Sequence, residues 1–217
     1  MKLFMLGASG RTGQRALQAA LEKGWSVSAL VRSPNKLSPH PKLEIIQGLP
    51  TDQAMLKKGL EGCQAALSIL NVSRTSDFPW APLRTPPTLM SDTMQLLLPL
   101  MEAAGMKKLV VCSAWGVAES REDIPGWFRW LIEHSNIGPA YRDHERQEAL
   151  IQASALDWTL VRPTALTPGR KPQPVKETFG KTPKPSLTIS RASLGQYLIE
   201  ALERQDVVRQ TVAISRA

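Results

Sequence analysis

The chain has 217 residues, 42% of them hydrophobic, and a formal net charge of +8. That length supports one α/β domain with a full core, and the apolar content excludes a disordered chain. Two cysteines (Cys63, Cys112) and three histidines (His40, His134, His144) offer no disulfide framework and no pair at metal-ligand spacing. The cysteines read as small buried thiols, and no metal is expected.

The chain opens on an apolar run, Leu3-Phe4-Met5-Leu6, followed by Gly7-Ala8-Ser9-Gly10-Arg11-Thr12-Gly13 and a helical pattern from Gln14 to Leu21. A strand, a tight turn and a helix start are the context that a dinucleotide-binding glycine loop requires. Gly7 serves the turn, Gly10 lets backbone N–H groups approach a pyrophosphate, and Gly13 allows close helix–sheet packing. A signal peptide is not expected, because one lysine and few apolar residues precede the loop.

The second strand, Trp25 to Val31, ends in Arg32-Ser33-Pro34-Asn35-Lys36. An NAD-selective site places an acidic residue near this strand end to hold the ribose hydroxyls. Here Arg32 takes that place, with Lys36 nearby and Arg11 in the glycine loop. Guanidinium groups bind phosphate bidentately and stay charged, so the expected cofactor is NADP(H) in preference to NAD(H).

Further along, Leu43–Gln47 reads as a third strand and Thr51–Leu60 as a helix capped by Thr51 or Asp52. Cys63–Leu70 reads as a fourth strand, and a proline-rich connection leads to a helix over Thr88–Ala104. Leu96–Met101 within it is too short to span a bilayer, so a soluble, cytoplasmic protein without membrane contact is expected. Lys107–Ser113 is a fifth strand, Trp127–Ile132 a short helix packed into the core, Tyr141–Ala153 a helix and Asp157–Val161 a sixth strand. Leu187–Ile189, Arg191–Arg204 and Thr211–Ser215 supply a strand, a helix and a last strand. The alternation predicts a Rossmann-like doubly wound parallel sheet with helices on both faces. One domain spans 1–217, with about 164–217 as a small substrate-side extension.

Between them lies a proline-rich segment holding Arg170, Lys171, Lys176, Lys181, Lys184 and Arg191 against Glu177 alone. A solvated extended loop is preferred for it over a flap on an anionic ligand, and a nucleic-acid surface ranks last for want of aromatic interleaving.

In doubly wound sheets ligands lie beyond the carboxyl ends of the strands. Leu70, Asn71 and Arg74 should therefore pass beneath the ribose and pyrophosphate, and Ser113 should face the nicotinamide. Arg162 to Leu166, with Thr164, should close over the amide. Asp52 is either an adenine contact or a helix cap.

The glycine loop, the Val31-Arg32 pair, Ser113-Ala114 and the segment Leu156-Asp157-Trp158-Thr159-Leu160-Val161-Arg162-Pro163 together resemble the atypical short-chain dehydrogenase/reductase superfamily, in its NmrA-like NAD(P)H-binding branch. Arg32 with Lys36, Pro87 to Ser91, Cys112-Ser113-Ala114 and Asp143-His144 are similar to the biliverdin reductase B/flavin reductase type. That resemblance implies hydride transfer from NADPH to a flavin, tetrapyrrole or similar conjugated acceptor. It implies cofactor contacts at Gly7, Ser9 to Gly13, Arg32, Lys36, Leu70, Arg74, Ser113 and Thr164.

The sequence departs from the wider superfamily at Tyr-x-x-x-Lys, whose lysine lowers the tyrosine pKa for proton exchange. Tyr141 is followed by Glu145, expected to raise it, and His144 takes the place of the lysine in the related branch. His144 is either a proton donor or, as preferred here, a surface histidine on a charged helix. A conjugated acceptor that draws its proton from solvent suits this pattern better than a ketone. The alternative is a non-catalytic NADP(H) sensor acting through a protein partner. Trp115, Trp127, Trp130 and Phe128 place aromatic surface after Ser113, read mainly as core and otherwise as a platform for a planar acceptor.

Overall fold

In the first strand, β1 (Lys2–Leu6), Leu3 and Met5 point into one hydrophobic cluster and Phe4 and Leu6 into another. Alternation of side chains across a strand therefore builds a three-layer domain. The computed structural model describes residues 1–169 and 171–217; Arg170 of the basic segment lies outside the described residues.

The sheet continues through β2 (Ser26–Val31), β3 (Leu43–Gln47), β4 (Ala65–Ser68), β5 (Lys108–Cys112) and β6 (Asp157–Pro163). Three later strands are β7 (Ala165–Thr167), β8 (Val175–Phe179) and β9 (Thr188–Ser190), and the last is β10 (Gln210–Arg216). Eight strands lie in the order β3-β2-β1-β4-β5-β6-β10-β8, while β7 and β9 pair separately in parallel. The first seven are mutually parallel and β8 runs antiparallel to β10. Strand order reverses between β1 and β4, which opens the crevice where such sheets bind ligands.

Helices α1 (Arg11–Glu22) and α6 (Arg191–Ala201) cover one face with Ala16, Leu17, Leu194, Tyr197 and Leu198. The other carries α2 (Gln53–Leu60), α3 (Leu89–Ala103) and α5 (Gly138–Gln152) through Leu56, Met94, Leu97, Met101 and Ile151. Each such side chain, fully buried, contributes about 1.5–3 kcal/mol relative to exposure. A shorter helix, α4 (Gly126–Glu133), lies beyond the end of β5. No helix among the described residues is long and apolar enough to cross a membrane.

The Rossmann-like doubly wound reading matches this architecture, with three corrections. The proline-rich basic segment is not a solvated loop throughout, because Val175–Phe179 forms the edge strand β8. Thr178 is buried there and Glu177 pairs with Arg204. Flanking prolines, which suit an edge strand, mask its pattern. Helix α4 is amphipathic rather than core: Trp127 is 68% and Trp130 54% exposed, while Trp115 is buried. Finally, α5 begins at Gly138, three residues before the expected start.

Candidate active site

The glycine loop is shaped by what a side chain would strike. Gly7 has φ +80°, and a Cβ there would lie 2.5 Å from the Ile69 carbonyl oxygen on the neighbouring strand end. A Cβ on Gly13 would sit 2.0 Å from the Gly7 carbonyl oxygen. Helix α1 thus begins flush against the loop. Its cap, Gly10, offers no side-chain oxygen, and its first turn carries no acidic residue. The N–H groups and positive dipole end stay available to an anion.

From this loop a cleft of about 730 Å³ runs along the carboxyl ends of the strands. Gly7, Ser9, Gly10, Arg11, Thr12 and Gly13 line one end, joined by Arg32 and Lys36 after β2. Leu70, Asn71 and Arg74 form the floor after β4, and Ser113 and Thr164 lie at the far end with Tyr141 and His144. Of the expected site residues, Ala8, fully buried in the core cluster beneath the loop, and Arg162, described below, do not line the cleft. Asp52 acts as a helix cap, accepting from the backbone N–H of Ala54 and Met55.

Charge in the cleft is one-sided. Arg11, Arg32, Lys36, Arg74, Arg84 and Arg191 line it, against Asp77 as the single carboxylate among the described residues. Arg84, Arg191 and Asp77 went unnoticed as site residues in the sequence. Arg191 directly follows Ser190, whose hydroxyl accepts from the Ser193 N–H. That cap motif, at the first turn of a helix packed on α1, was the available signal.

At the far end the Ser113 hydroxyl is buried and has no hydrogen-bond partner within the protein. The hydroxyl of Ser73, also on the cleft wall, shares that state. A buried hydroxyl without a partner carries a desolvation cost, so both are suited to a polar ligand. Trp115 and Phe128 line the same end. Trp127 leans on Phe128 at a centroid distance of 5.5 Å, and Phe128 meets Tyr141 edge-on at 6.2 Å.

Two expectations about proton donors are corrected. His144 is not a surface residue: it is 3% exposed and its Nδ1 lies 2.8 Å from Gln147 Nε2. Burial, with a smaller push from the Arg162 charge, lowers its pKa to about 4. The imidazole is neutral near pH 7 and holds no acidic proton. Tyr141 donates its hydroxyl proton to the Trp115 carbonyl at 3.2 Å. Burial, rather than Glu145, raises its pKa well above the ordinary phenol value.

The helix carrying both residues is anchored through buried ionic groups. The Asp143 carboxylate accepts from the Met90 N–H at 2.7 Å and the Ser91 hydroxyl at 2.5 Å, capping α3 from a distance. Arg162 does not close over the cleft. It is held away from the lining by Glu148, to which it donates at 2.6 and 3.0 Å, and by Glu119, at 2.6 and 3.2 Å. Burial pulls its pKa down, but the two carboxylates outweigh that and leave it raised. Cys112 is buried as expected and Cys63 only half-buried; burial moves Cys63 up to about 11 and Cys112 up to about 12, so both are held as thiols near pH 7. Among the described residues no group of three or more His, Cys, Asp or Glu side chains could hold a metal.

Solved structures of the same shape span this chain from end to end. The oxidoreductase ylbE from Lactococcus lactis superposes with a TM-score of 0.81 at 15% identity, covering 100% of this chain and 91% of that one. ChuY from Escherichia coli, described as an anaerobilin reductase, gives 0.80 at 17% identity, covering 100% and 97%. A short-chain dehydrogenase/reductase from Veillonella parvula, solved in complex with NADP, gives 0.80 at 13% identity, covering 99% and 94%. At these identities they speak for the fold alone. The sequence itself matches the NAD(P)H-binding family over residues 7–205, and the chain belongs to that family.

Proposed function

We propose that this protein is an NADPH-dependent reductase that delivers hydride to a planar, conjugated small molecule such as a flavin or a quinone. The observation that carries this reading is the pairing of a strongly cationic cleft with an aromatic far end, where Trp115, Phe128 and Tyr141 meet. The cleft matches the cofactor in charge, and its uncapped helix start and side-chain-free loop match a pyrophosphate in shape.

In this reading the N–H groups of Ser9 to Gly13 receive the pyrophosphate, and Arg32 with Lys36 takes the 2′-phosphate, which favours NADPH over NADH. NADPH, when bound, supplies the hydride. The Ser113 hydroxyl, buried without a partner, orients a polar group at the reacting end, and Thr164 flanks it. Trp115 and Phe128 offer faces against which a flat ring packs and exclude water from it. Tyr141 keeps its proton on the Trp115 carbonyl and His144 stays neutral. Burial disfavours charge on both side chains, which suits a conjugated acceptor that spreads the added charge and takes its proton from water. The reductase description of a solved structure of the same fold is in keeping with this chemistry.

The test is NADPH oxidation with FMN, a quinone and biliverdin as separate acceptors. Turnover of at least one is expected, and Ser113→Ala should lower kcat about tenfold, the cost of one lost hydrogen bond near the reacting end. Tight NADPH binding with no turnover of any acceptor would overturn the reductase reading in favour of a cofactor sensor.

A further inference from the structure

Next to the aromatic end of the cleft lies a second cavity, of about 240 Å³. Of its lining only Tyr141 also borders the cleft. One wall is the turn after β5, where Gly116 has φ +98° and Ala118, although not a glycine, has φ +48°. The Ser120 hydroxyl holds that turn, accepting from the Gly116 N–H at 2.9 Å and donating to the Val117 carbonyl at 2.7 Å. A side chain kept in the left-handed region is costly and persists where its surroundings over-determine it, as at ligand clamps. The wall is therefore set before any ligand arrives.

Val117 and Ile132, both buried, and the Tyr141 ring give the cavity apolar surface. Its charged groups are Arg121, Arg129, Arg142, Glu133 and Glu145. Arg121 donates to Glu133 at 2.5 Å, the one ion pair within that lining among the described residues. Arg129 and Arg142 thus stand against Glu145 alone, an excess of one positive charge. Arg129 is poorly satisfied: its Nε is buried without a partner, and its Nη2 reaches the Glu122 carbonyl at 3.4 Å. A buried guanidinium donor without an acceptor carries a desolvation cost that an anion relieves.

Size and charge together select a ligand class. An apolar cavity of about 150 Å³ already admits a benzene ring, so 240 Å³ leaves room for a ring and one carboxylate. Inorganic phosphate matches the charge but leaves the apolar surface unused, and a neutral ring leaves Arg129 unsatisfied. The cavity is also in mechanical contact with the cleft. Phe128 lines the cleft, and its neighbour on α4, Arg129, lines the cavity. Tyr141 has little slack: its hydroxyl donates to the Trp115 carbonyl, its ring meets Phe128 edge-on, and a Cβ on Gly116 would lie 3.3 Å from its Cε1.

We propose that this cavity is a second ligand site, which takes a small apolar monocarboxylate between Arg129 and Arg142 on one side and Val117 and Ile132 on the other. Its occupancy is felt at the aromatic end of the cleft through Tyr141 and α4. Binding at the cavity stands apart from the reductase reading; only the effect on acceptor turnover rests on it.

The experiment is calorimetric titration of benzoate, benzyl alcohol and inorganic phosphate into the wild type, Arg129→Gln, Arg142→Gln and Glu145→Gln. Benzoate should saturate the wild type, with benzyl alcohol and phosphate each at least about tenfold weaker. Either arginine substitution should weaken benzoate by about tenfold. Glu145→Gln, which removes the opposing charge, should tighten it by about two- to threefold. Circular dichroism melts identify any variant that fails to fold, and the comparison of the three ligands on the wild type needs no variant. No saturable benzoate binding would overturn the site, and so would benzoate binding that neither arginine substitution weakens. Phosphate bound as tightly as benzoate would overturn the apolar monocarboxylate as its ligand. With NADPH and an acceptor that turns over, saturating benzoate should change the acceptor KM at least about twofold in the wild type and not in Arg129→Gln. Benzoate binding without that change ends the coupling alone, and a wild type that turns over no acceptor ends the reductase reading and leaves the site standing.

Discussion

Lowering the pH from 7 to 5 should cost this fold about 2 kcal/mol through His144 alone. In the unfolded chain an imidazole titrates near 6.5, while in the fold burial and the Arg162 charge lower the pKa to about 4. Between those values the unfolded state binds a proton that the folded state refuses. The stabilising contribution is fully present above pH 6.5, is lost as pH falls, and changes no further below about 4. Integrating the difference in bound protons from pH 7 to pH 5 gives the 2 kcal/mol, on the order of a thirtyfold change in the folding equilibrium. The assay is urea unfolding at both pH values for the wild type and for His144→Gln, which keeps a polar side chain but cannot titrate. Whatever the substitution costs at pH 7 cancels in the comparison. The drop between pH 7 and pH 5 should be smaller by about 2 kcal/mol in His144→Gln. Equal drops in the two proteins would refute the neutral, buried imidazole and return His144 to the list of proton donors.

Removing the remote cap in Asp143→Ala leaves the Met90 and Ser91 N–H groups without their carboxylate acceptor, while the Ser91 hydroxyl keeps the Thr88 carbonyl. Unfolding free energy should fall by about 2–3 kcal/mol, with Asn at 143 recovering part of it. The two carboxylates on Arg162 should differ sharply, because the Glu148 side chain is 3% exposed and that of Glu119 is 70% exposed. Glu148→Ala should cost about 3–5 kcal/mol by stranding a buried guanidinium, and Glu119→Ala about 1 kcal/mol or less. Denaturant titration reads both, and equal costs would contradict the geometry.

Much of the fold is written in local patterns. The glycine loop at residues 7–13 sits directly after an apolar strand, and that adjacency alone places the helix start and the ligand end of the sheet. The strand ends at Leu70, Ser113 and Thr164 then fall into one cleft because parallel strands carry their carboxyl ends to one edge. What stayed hidden depends on partners distant in sequence. His144 lies among Arg142, Glu145 and Arg146 and reads as surface, but it faces inward beside Asp143 and Gln147. Trp127 and Trp130 look like core by type, and only the placement of α4 on the rim leaves them exposed. Strand β8 is masked by prolines, and its pairing with β10 joins residues more than thirty positions apart. Asp77 and Arg191 belong to the cleft only through a loop contact and through α6 packing on α1.

The most direct test of the central claim is calorimetric titration of NADPH and NADH into the wild type and Arg32→Ala. A cleft built for NADPH predicts binding of NADPH at least about tenfold tighter than NADH, with Arg32→Ala erasing most of that preference and leaving NADH little changed. Equal affinities in the wild type, or a preference that survives Arg32→Ala, would contradict the cofactor assignment.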